Sequence, residues 1–212
     1  MAFSNGDLWG AYSDVYDLME NISFVKRQHA RHRDALKGLR VILDAGCGIA
    51  SLTVGLSAER DRTLFAIDSN PAMIKVARHR LSGTRETNKV ILTQGDVSAL
   101  PYANGSLEGY ISNNVLYYVQ NEHAVLNEMA RVVRSGGRAC ISSARPCMDV
   151  EMLLSVMQAE LQKCDDPRAN GYFKNFASIN RSLQRKLKNL HEPEEFAEGL
   201  ERTGCWKHLT AG

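Results

Sequence analysis

Val41-Ile42-Leu43-Asp44-Ala45-Gly46-Cys47-Gly48-Ile49-Ala50 is the stretch on which the fold turns. Apart from Asp44, its first five residues form a continuous apolar and β-branched run, as a strand buried on both faces requires. Two glycines follow within three residues, and then an apolar-periodic segment. A strand, a glycine turn and a helix in that order let the backbone approach a ligand closely. They also leave helix N–H groups free to meet it. The same order suits a plain tight strand–helix turn. The dinucleotide pattern G-x-G-x-x-G is not met, because Ser51 stands at the third glycine position.

Outward from this stretch the alternation continues. TLFAID (63–68), KVILTQ (89–94), LEGYISN (107–113) and RACISSA (138–144) read as strands two to five. Asn70 and Pro71 suit a helix N-cap and first helical position, and Met73, Val76, Ala77 and Leu81 carry that helix onward. A further helix is predicted from His123 to Arg134, with Val125, Met129 and Val132 on one face and Ser135-Gly136-Gly137 as its break. This spacing predicts the α/β class, with a doubly wound, mostly parallel Rossmann-like sheet and helices on both faces.

Three regions are expected: an N-terminal helical lid over 1–37, a ligand-binding core over 38–146, and a helical insertion with the end of the core over 147–212. In the first, Leu8, Tyr12, Val15, Met19 and Ile22 step by four and three, as one helix face does. A basic stretch follows, from Lys26 through Arg27, Arg31, Arg33 and Lys37 to Arg40. In the third, helices are expected over Glu151–Lys163 and from about Pro193, and CWKHL (205–209) as a short strand.

Composition narrows the function. The 212 residues suit one decorated domain, with 44% hydrophobic and 24% charged residues. No apolar run approaches the roughly 18–20 residues of a membrane span. The first residues, MAFSNGDLWG, lack a signal peptide's basic start and apolar run. A cytoplasmic location is the expectation. A net charge of +2 is too small to imply nucleic acid by itself. The five cysteines, Cys47, Cys140, Cys147, Cys164 and Cys205, include no C-x-x-C pair, so no zinc site is expected.

Four features carry chemistry. The glycine loop is the first. Asp68 is the second, at the end of strand two and 20 residues past Gly48. An acidic residue at about this offset accepts hydrogen bonds from ribose hydroxyls, and a carboxylate has two acceptor oxygens and no competing donor. The third is Gly95-Asp96-Val97, just after strand three. Asp96 can accept from an adenine amino group and the next backbone N–H can donate to a ring nitrogen, although a Gly-Asp pair alone is commonly a turn. The fourth is Ser112-Asn113-Asn114 with Val115-Leu116-Tyr117-Tyr118, after strand four, where the sheet order should reverse and a crevice open.

Together these residues resemble the class I S-adenosylmethionine (SAM)-dependent methyltransferases, in particular the small-molecule branch that includes ubiquinone-type C- and O-methyltransferases. The resemblance rests on VILDAGCGIA, FAIDSNPAMI, ILTQGDVSALPYANGSLEGYISNNVLYYV and LNEMARVVRSGGRACISS, in the family's order. It covers residues 38–146 closely and 1–37 loosely. It implies that SAM is the cofactor. Asp44, Gly46, Cys47 and Gly48 would then shape the pocket for the methionine moiety. Asp68 would hold the ribose, with Ser69 and Met73 beside the adenosine. Gly95, Asp96 and Val97 would hold the adenine, and Asn113 would lie near the sulfonium. Tyr12 and Tyr16 sit where such enzymes often carry an aromatic from the lid, Tyr16 toward the cofactor and Tyr12 toward the substrate. One departure is Ala50, which stands where the family commonly has a third glycine.

The implied activity is methyl transfer to a small-molecule acceptor at an oxygen, nitrogen or carbon atom. Tyr117, Tyr118, His123 and His29 are the candidates for a general base, with Tyr117 foremost and also placed toward the substrate; packing or surface roles are the default for each. Asn113-Asn114-Val115-Leu116 does not match the Asn/Asp-Pro-Pro-Tyr pattern of amino-methylating nucleic-acid enzymes. No metal is expected either, since no magnesium carboxylate set is visible. The Lys26–Arg40 cluster, and Arg181, Arg185, Lys186 and Lys188, read by default as solvated faces. If functional, they would meet an anionic, phosphate-bearing or carrier-linked acceptor. After Gly204 only one short strand's length remains, so the edge of strand five calls for a partner copy, a longer chain, or the 205–209 segment. A non-catalytic SAM-fold module, an NAD-dependent oxidoreductase and an RNA methyltransferase stand as alternatives.

Overall fold

The computed structural model describes residues 16–82, 89–163, 169–184 and part of 190–197. Two short helical pieces open it, α1 (Tyr16–Met19) and α2 (Ser23–Ala35). Strands and helices then alternate: β1 (Val41–Ala45), α3 (Ser51–Leu56), β2 (Thr63–Asp68), α4 (Pro71–Leu81), β3 (Lys89–Gln94) and β4 (Leu107–Asn113). A 3₁₀ turn (Leu116–Tyr118), α5 (Glu122–Val132), β5 (Val133–Ser142), α6 (Val150–Leu161) and α7 (Ala169–Gln184) complete it.

The five strands lie in the order β3-β2-β1-β4-β5, and every pairing is parallel. The order reverses between β1 and β4, so the crevice opens at the ends of these two strands, beside the glycine loop and Asn113. Alternate residues of each strand feed opposite layers. Ile42, Leu64 and Ile111 pack against Leu36, Leu52 and Leu56 of the α2–α3 side. Leu43, Ile67 and Tyr110 pack against Val125, Met129 and Val132 of α5. A third cluster joins Leu18, Ile22 and Val25 to Leu154, Met157 and Phe176, so α1 and α2 pack with α6 and α7.

Strands one to four fall where the sequence places them, and Asn70 caps α4 with its Oδ1 accepting from the Ala72 and Met73 amides at 2.8 and 3.3 Å. Three expectations are corrected. The apolar repeat through Ile22 is not one helix among the described residues: α1 stops at Met19, and α2 starts afresh at Ser23. The break is set from afar, because Ser23 donates from both N and Oγ to Glu160 Oε2 at 2.6 and 2.7 Å. The helix predicted to reach Arg134 ends at Val132, and β5 begins at Val133 rather than Arg138. Ser135-Gly136-Gly137 lie inside that strand as an irregularity: β4 advances from Leu107 to Gly109 while β5 advances from Val133 to Arg138. Gly136, at φ 74°, takes the left-handed conformation this needs. Finally, α7 was not anticipated, although Phe173, Phe176 and Ala177 carry helical spacing. The 205–209 strand, Tyr12, and Arg185, Lys186 and Lys188 lie outside the described residues.

Candidate functional site

The crevice is a cavity of about 890 Å3. Of the residues singled out in the sequence, it brings together Tyr16, Gly46, Gly48, Asp68, Ser69, Met73, Gly95, Asp96, Val97, Asn113 and Tyr117. Asp44 and Cys47 are not among its lining residues: Asp44 is buried beneath the glycine loop, and the Cys47 side chain is buried within it. His29 and His123 lie off it: His29 is buried in α2 and His123 is exposed on α5.

The loop is held from below. Gly46 and Cys47 donate their amides to Ile67 O at 2.8 and 2.9 Å. Gly46 has φ 75°, and a Cβ there would come within 2.3 Å of Val115 Cγ2, so both conformation and space require glycine. Ala50 is left-handed at φ 63°, a conformation that costs an L side chain about 1 kcal/mol. The departure from a third glycine is thus accommodated in the backbone that glycine would take.

Asp68 does more than face the cavity. Its Oδ2 accepts from Gly48 N–H at 2.9 Å and its Oδ1 from Asn70 N–H at 2.8 Å. Each oxygen keeps a second lone pair for a ligand. Asp96 is exposed, and its Oδ1 closes a turn on Ser98 N–H at 2.8 Å. Beneath the loop, Asp44 accepts from Thr53 Oγ1 at 2.6 Å. Burial, opposed by Thr53 and reinforced by the Asp68 charge, pushes the Asp44 carboxyl up to about 6.

That shift has a measurable consequence. Between the ordinary carboxylate range near 4 and pH 6, folded Asp44 holds its proton while the unfolded chain releases it. Stability therefore falls as pH rises through this window, by about 3 kcal/mol in all, at 1.36 kcal/mol per pKa unit. Asp44→Asn keeps an acceptor for Thr53 and removes the ionisation. Denaturant melts at pH 4 and 7 should show wild type losing stability relative to the variant. Parallel pH curves for the two would refute the buried-carboxylate assignment.

The cavity's electrostatic character is acidic. Asp68 and Asp96 line it, Asp44 lies below, and among the described residues no lysine, arginine or histidine lines it. The basic stretch points elsewhere: Lys26, Arg27 and Arg31 on α2, and Lys37 and Arg40 after it, are exposed. Arg181 donates to both Glu151 carboxylate oxygens at 2.6 and 2.7 Å. Arg185, Lys186 and Lys188, the rest of the second cluster, lie outside the described residues.

Residues 43–141 match a family model described as a methyltransferase domain. The matched span runs from Leu43 in β1 through nearly all of β5 and includes the glycine loop, Asp68, Asp96 and Asn113. Among curated relatives, a demethylmenaquinone methyltransferase of Bacillus mycoides is 29% identical over 154 residues, covering 67% of this chain and 63% of its own. An O-methyltransferase of Pyrenophora dematioidea is 31% identical over 101 residues, covering 48% of this chain and 38% of its own. The chain thus spans less than two thirds of the length of these relatives. Among solved structures, a protein of Methanococcus maripaludis assigned as a SAM-dependent methyltransferase superposes with a TM-score of 0.63 at 17% identity, covering 96% of this chain and 88% of that one. The cyclase SpnF superposes with a TM-score of 0.59 at 13% identity, covering 87% of this chain and 91% of that one. At these identities the likeness is one of fold.

The crevice adjoins a second cavity of about 360 Å3. Phe24, Gln28, Asn114, Tyr117, Tyr118 and Asn180 line both cavities. Beyond them the wall is largely apolar, with Met148, Leu153, Leu154, Met157 and Phe176. Sequence reasoning missed this space, because its far wall is made by α6 and α7. Among the described residues that line it, Arg145 is the one charged side chain, and it is held by Glu192 at 2.6 Å.

Proposed function

We propose that the protein binds SAM in the larger cavity and transfers its methyl group to a small-molecule acceptor seated in the smaller one. The observation that carries this is the charge of the larger cavity. Its volume falls in the roughly 300–1,000 Å3 range of cofactor sites, and its carboxylates suit a ligand with an ammonium and a sulfonium. A dinucleotide's two phosphates would meet Asp68 and Asp96 with no cation among the described lining residues, which argues against the oxidoreductase alternative.

In this reading Asp68 accepts from the ribose hydroxyls while holding Gly48, and Ser69 and Met73 flank the adenosine. Gly95, Asp96 and Val97 hold the adenine edge. Gly46 and Gly48 let the backbone approach the methionine moiety, with Asp44 and Cys47 supporting the loop from beneath. Asn113 and Tyr16 face the reacting end. When bound, the cofactor supplies a methyl group already activated by its sulfonium. The residues around it orient the two partners and exclude water, a contribution worth several kcal/mol in oriented systems.

Tyr117 lines both cavities, which supports its reading as a residue that touches the acceptor. Burial, with the Asp44, Glu20 and Asp68 carboxylates nearby, pushes the Tyr16 phenol up to about 12, and burial pushes Tyr118 up as well. Both stay protonated at neutral pH and act as donors, not bases. The apolar second cavity favours an uncharged acceptor over an anionic one. The proposal keeps the three regions 1–37, 38–146 and 147–212 as lid, core and C-terminal part, and a cytoplasmic setting. No helix among the described residues is long and apolar enough to cross a membrane. Since β5 pairs only with β4 among the described residues, a homodimer through that edge is part of the proposal, and light scattering tests it.

Calorimetry with SAM and with NADH tests the cofactor, and incubation with methyl-labelled SAM and a metabolite extract tests the transfer. Binding of SAM alone, with label moving into the organic-soluble fraction, is the expected result. NADH binding would overturn the cofactor assignment. Tight SAM binding with no label transferred would favour the non-catalytic module.

A further inference from the structure

Buried His32 has no part in the chemistry above, yet its surroundings are specific. It sits on α2 with 3% exposure. Its Nδ1 is 3.0 Å from Cys140 Sγ on β5. Its Nε2 is 3.1 Å from Asn113 Oδ1 at the end of β4 and 3.1 Å from Ser142 Oγ at the end of β5. Ser142 Oγ donates to the same Asn113 Oδ1 at 2.7 Å. One turn earlier on α2, Gln28 exchanges amide hydrogen bonds with Asn114 at 3.3 and 3.4 Å. Residues four apart on a helix share a face. One face of α2 therefore grips both asparagines at the switch point, and Asn114 is held there at φ 60°.

The chemistry selects one arrangement of protons. A carbonyl oxygen only accepts, so the Nε2 contact with Asn113 requires Nε2 to carry the hydrogen. Nδ1 is then the acceptor, and the Cys140 thiol donates to it. Burial pushes His32 down to about 4 and the Cys140 thiol up, so both groups are neutral at physiological pH. With Oδ1 held by two donors, the amide of Asn113 has one orientation. Its Nδ2 is the polar atom left to the cavity that Asn113 lines.

We infer that His32 is a positioning residue, which from α2 orients the Asn113 amide so that Nδ2 donates to the ligand in the larger cavity. The inference rests on the proposed cofactor site for the identity of that ligand. It implies that docking of α2 and formation of the cofactor site are one event.

The test uses the full chain and S-adenosylhomocysteine as probe. Glutamine's amide nitrogen reaches the place of imidazole Nε2, whereas asparagine's reaches only that of Nδ1. Calorimetry should find His32→Gln within about twofold of wild-type affinity and His32→Asn at least tenfold weaker. Both variants should melt within a few degrees of each other. Nitrogen-15 NMR of the ligand-free wild type should show the Nε2–H tautomer. An Nδ1–H tautomer, or equal loss of affinity in both variants, or none in His32→Asn, would overturn the inference. If wild type binds no S-adenosylhomocysteine, the cofactor assignment has failed, and the tautomer still decides the role of His32. The tautomer also stands if a variant does not fold.

Discussion

Replacing Asp68 by alanine is expected to weaken SAM binding by about 100-fold, because two losses coincide. The first is the acceptor for the ribose hydroxyls, and hydrogen bonds to a charged group contribute about 1.5–3 kcal/mol. The second is the hold on the loop itself, since Asp68 Oδ2 anchors Gly48 N–H and Oδ1 anchors Asn70 N–H. The loss of both anchors frees the Gly48 amide and loosens the start of α4. Asp68→Asn should do little better, for its NH2 group would face one of these two N–H donors. Calorimetry with S-adenosylhomocysteine checks both variants. Unchanged affinity in Asp68→Ala would refute the ribose assignment, and near-full recovery in Asp68→Asn would refute the second anchoring role.

Arg62→Met should cost about 3–5 kcal/mol of folding stability. Arg62 is 3% exposed and lies directly before β2. Its Nε donates to Leu39 O at 3.0 Å, Nη1 to Leu56 O at 3.0 Å and Nη2 to Leu36 O at 3.1 Å. Glu59 balances the charge, with Oε2 2.6 Å from Nη2. Leu36 and Leu56 close α2 and α3, whose final carbonyls have no partner within their own helices. One guanidinium thus satisfies two helix ends and a loop. Methionine fills the volume but takes a charged donor from all three carbonyls, at roughly 1.5–3 kcal/mol for each before any rehydration, and leaves Leu36 O and Leu56 O with only the Leu39 and Glu59 amides at 3.2 and 3.4 Å. For a domain of this size the melting temperature should fall by about 10 °C. A fall under about 3 °C would show that these carbonyls reach water or other donors.

Much of the domain was legible before any coordinates. Strands one to four and the Asn70 cap depend on local rules: an apolar run with turn chemistry at each end, and a side chain that accepts from the next amides. The site was legible in the same way, since the glycine loop, Asp68, Asp96 and Asn113 all follow strands and meet wherever such strands lie parallel. The boundary between α5 and β5 was not. Ser135-Gly136-Gly137 has the composition of a break, and only pairing with β4 makes it a strand irregularity. The structural role of Asp68 is invisible to local pattern, because its bond to Gly48 spans 20 residues.

What the sequence by itself determined is the parallel α/β core and the set of residues at its carboxyl edge. Those follow from periodicity and from turn residues whose preferences act over a few positions. Tertiary structure alone decided the rest: that Glu160 starts α2, that the basic helix turns its charges to solvent and His32 inward, and that α6 and α7 enclose an apolar second cavity. Each of these depends on groups far apart in the chain. Their energies arise only once burial strips away water, and no local pattern encodes which distant partner will be there.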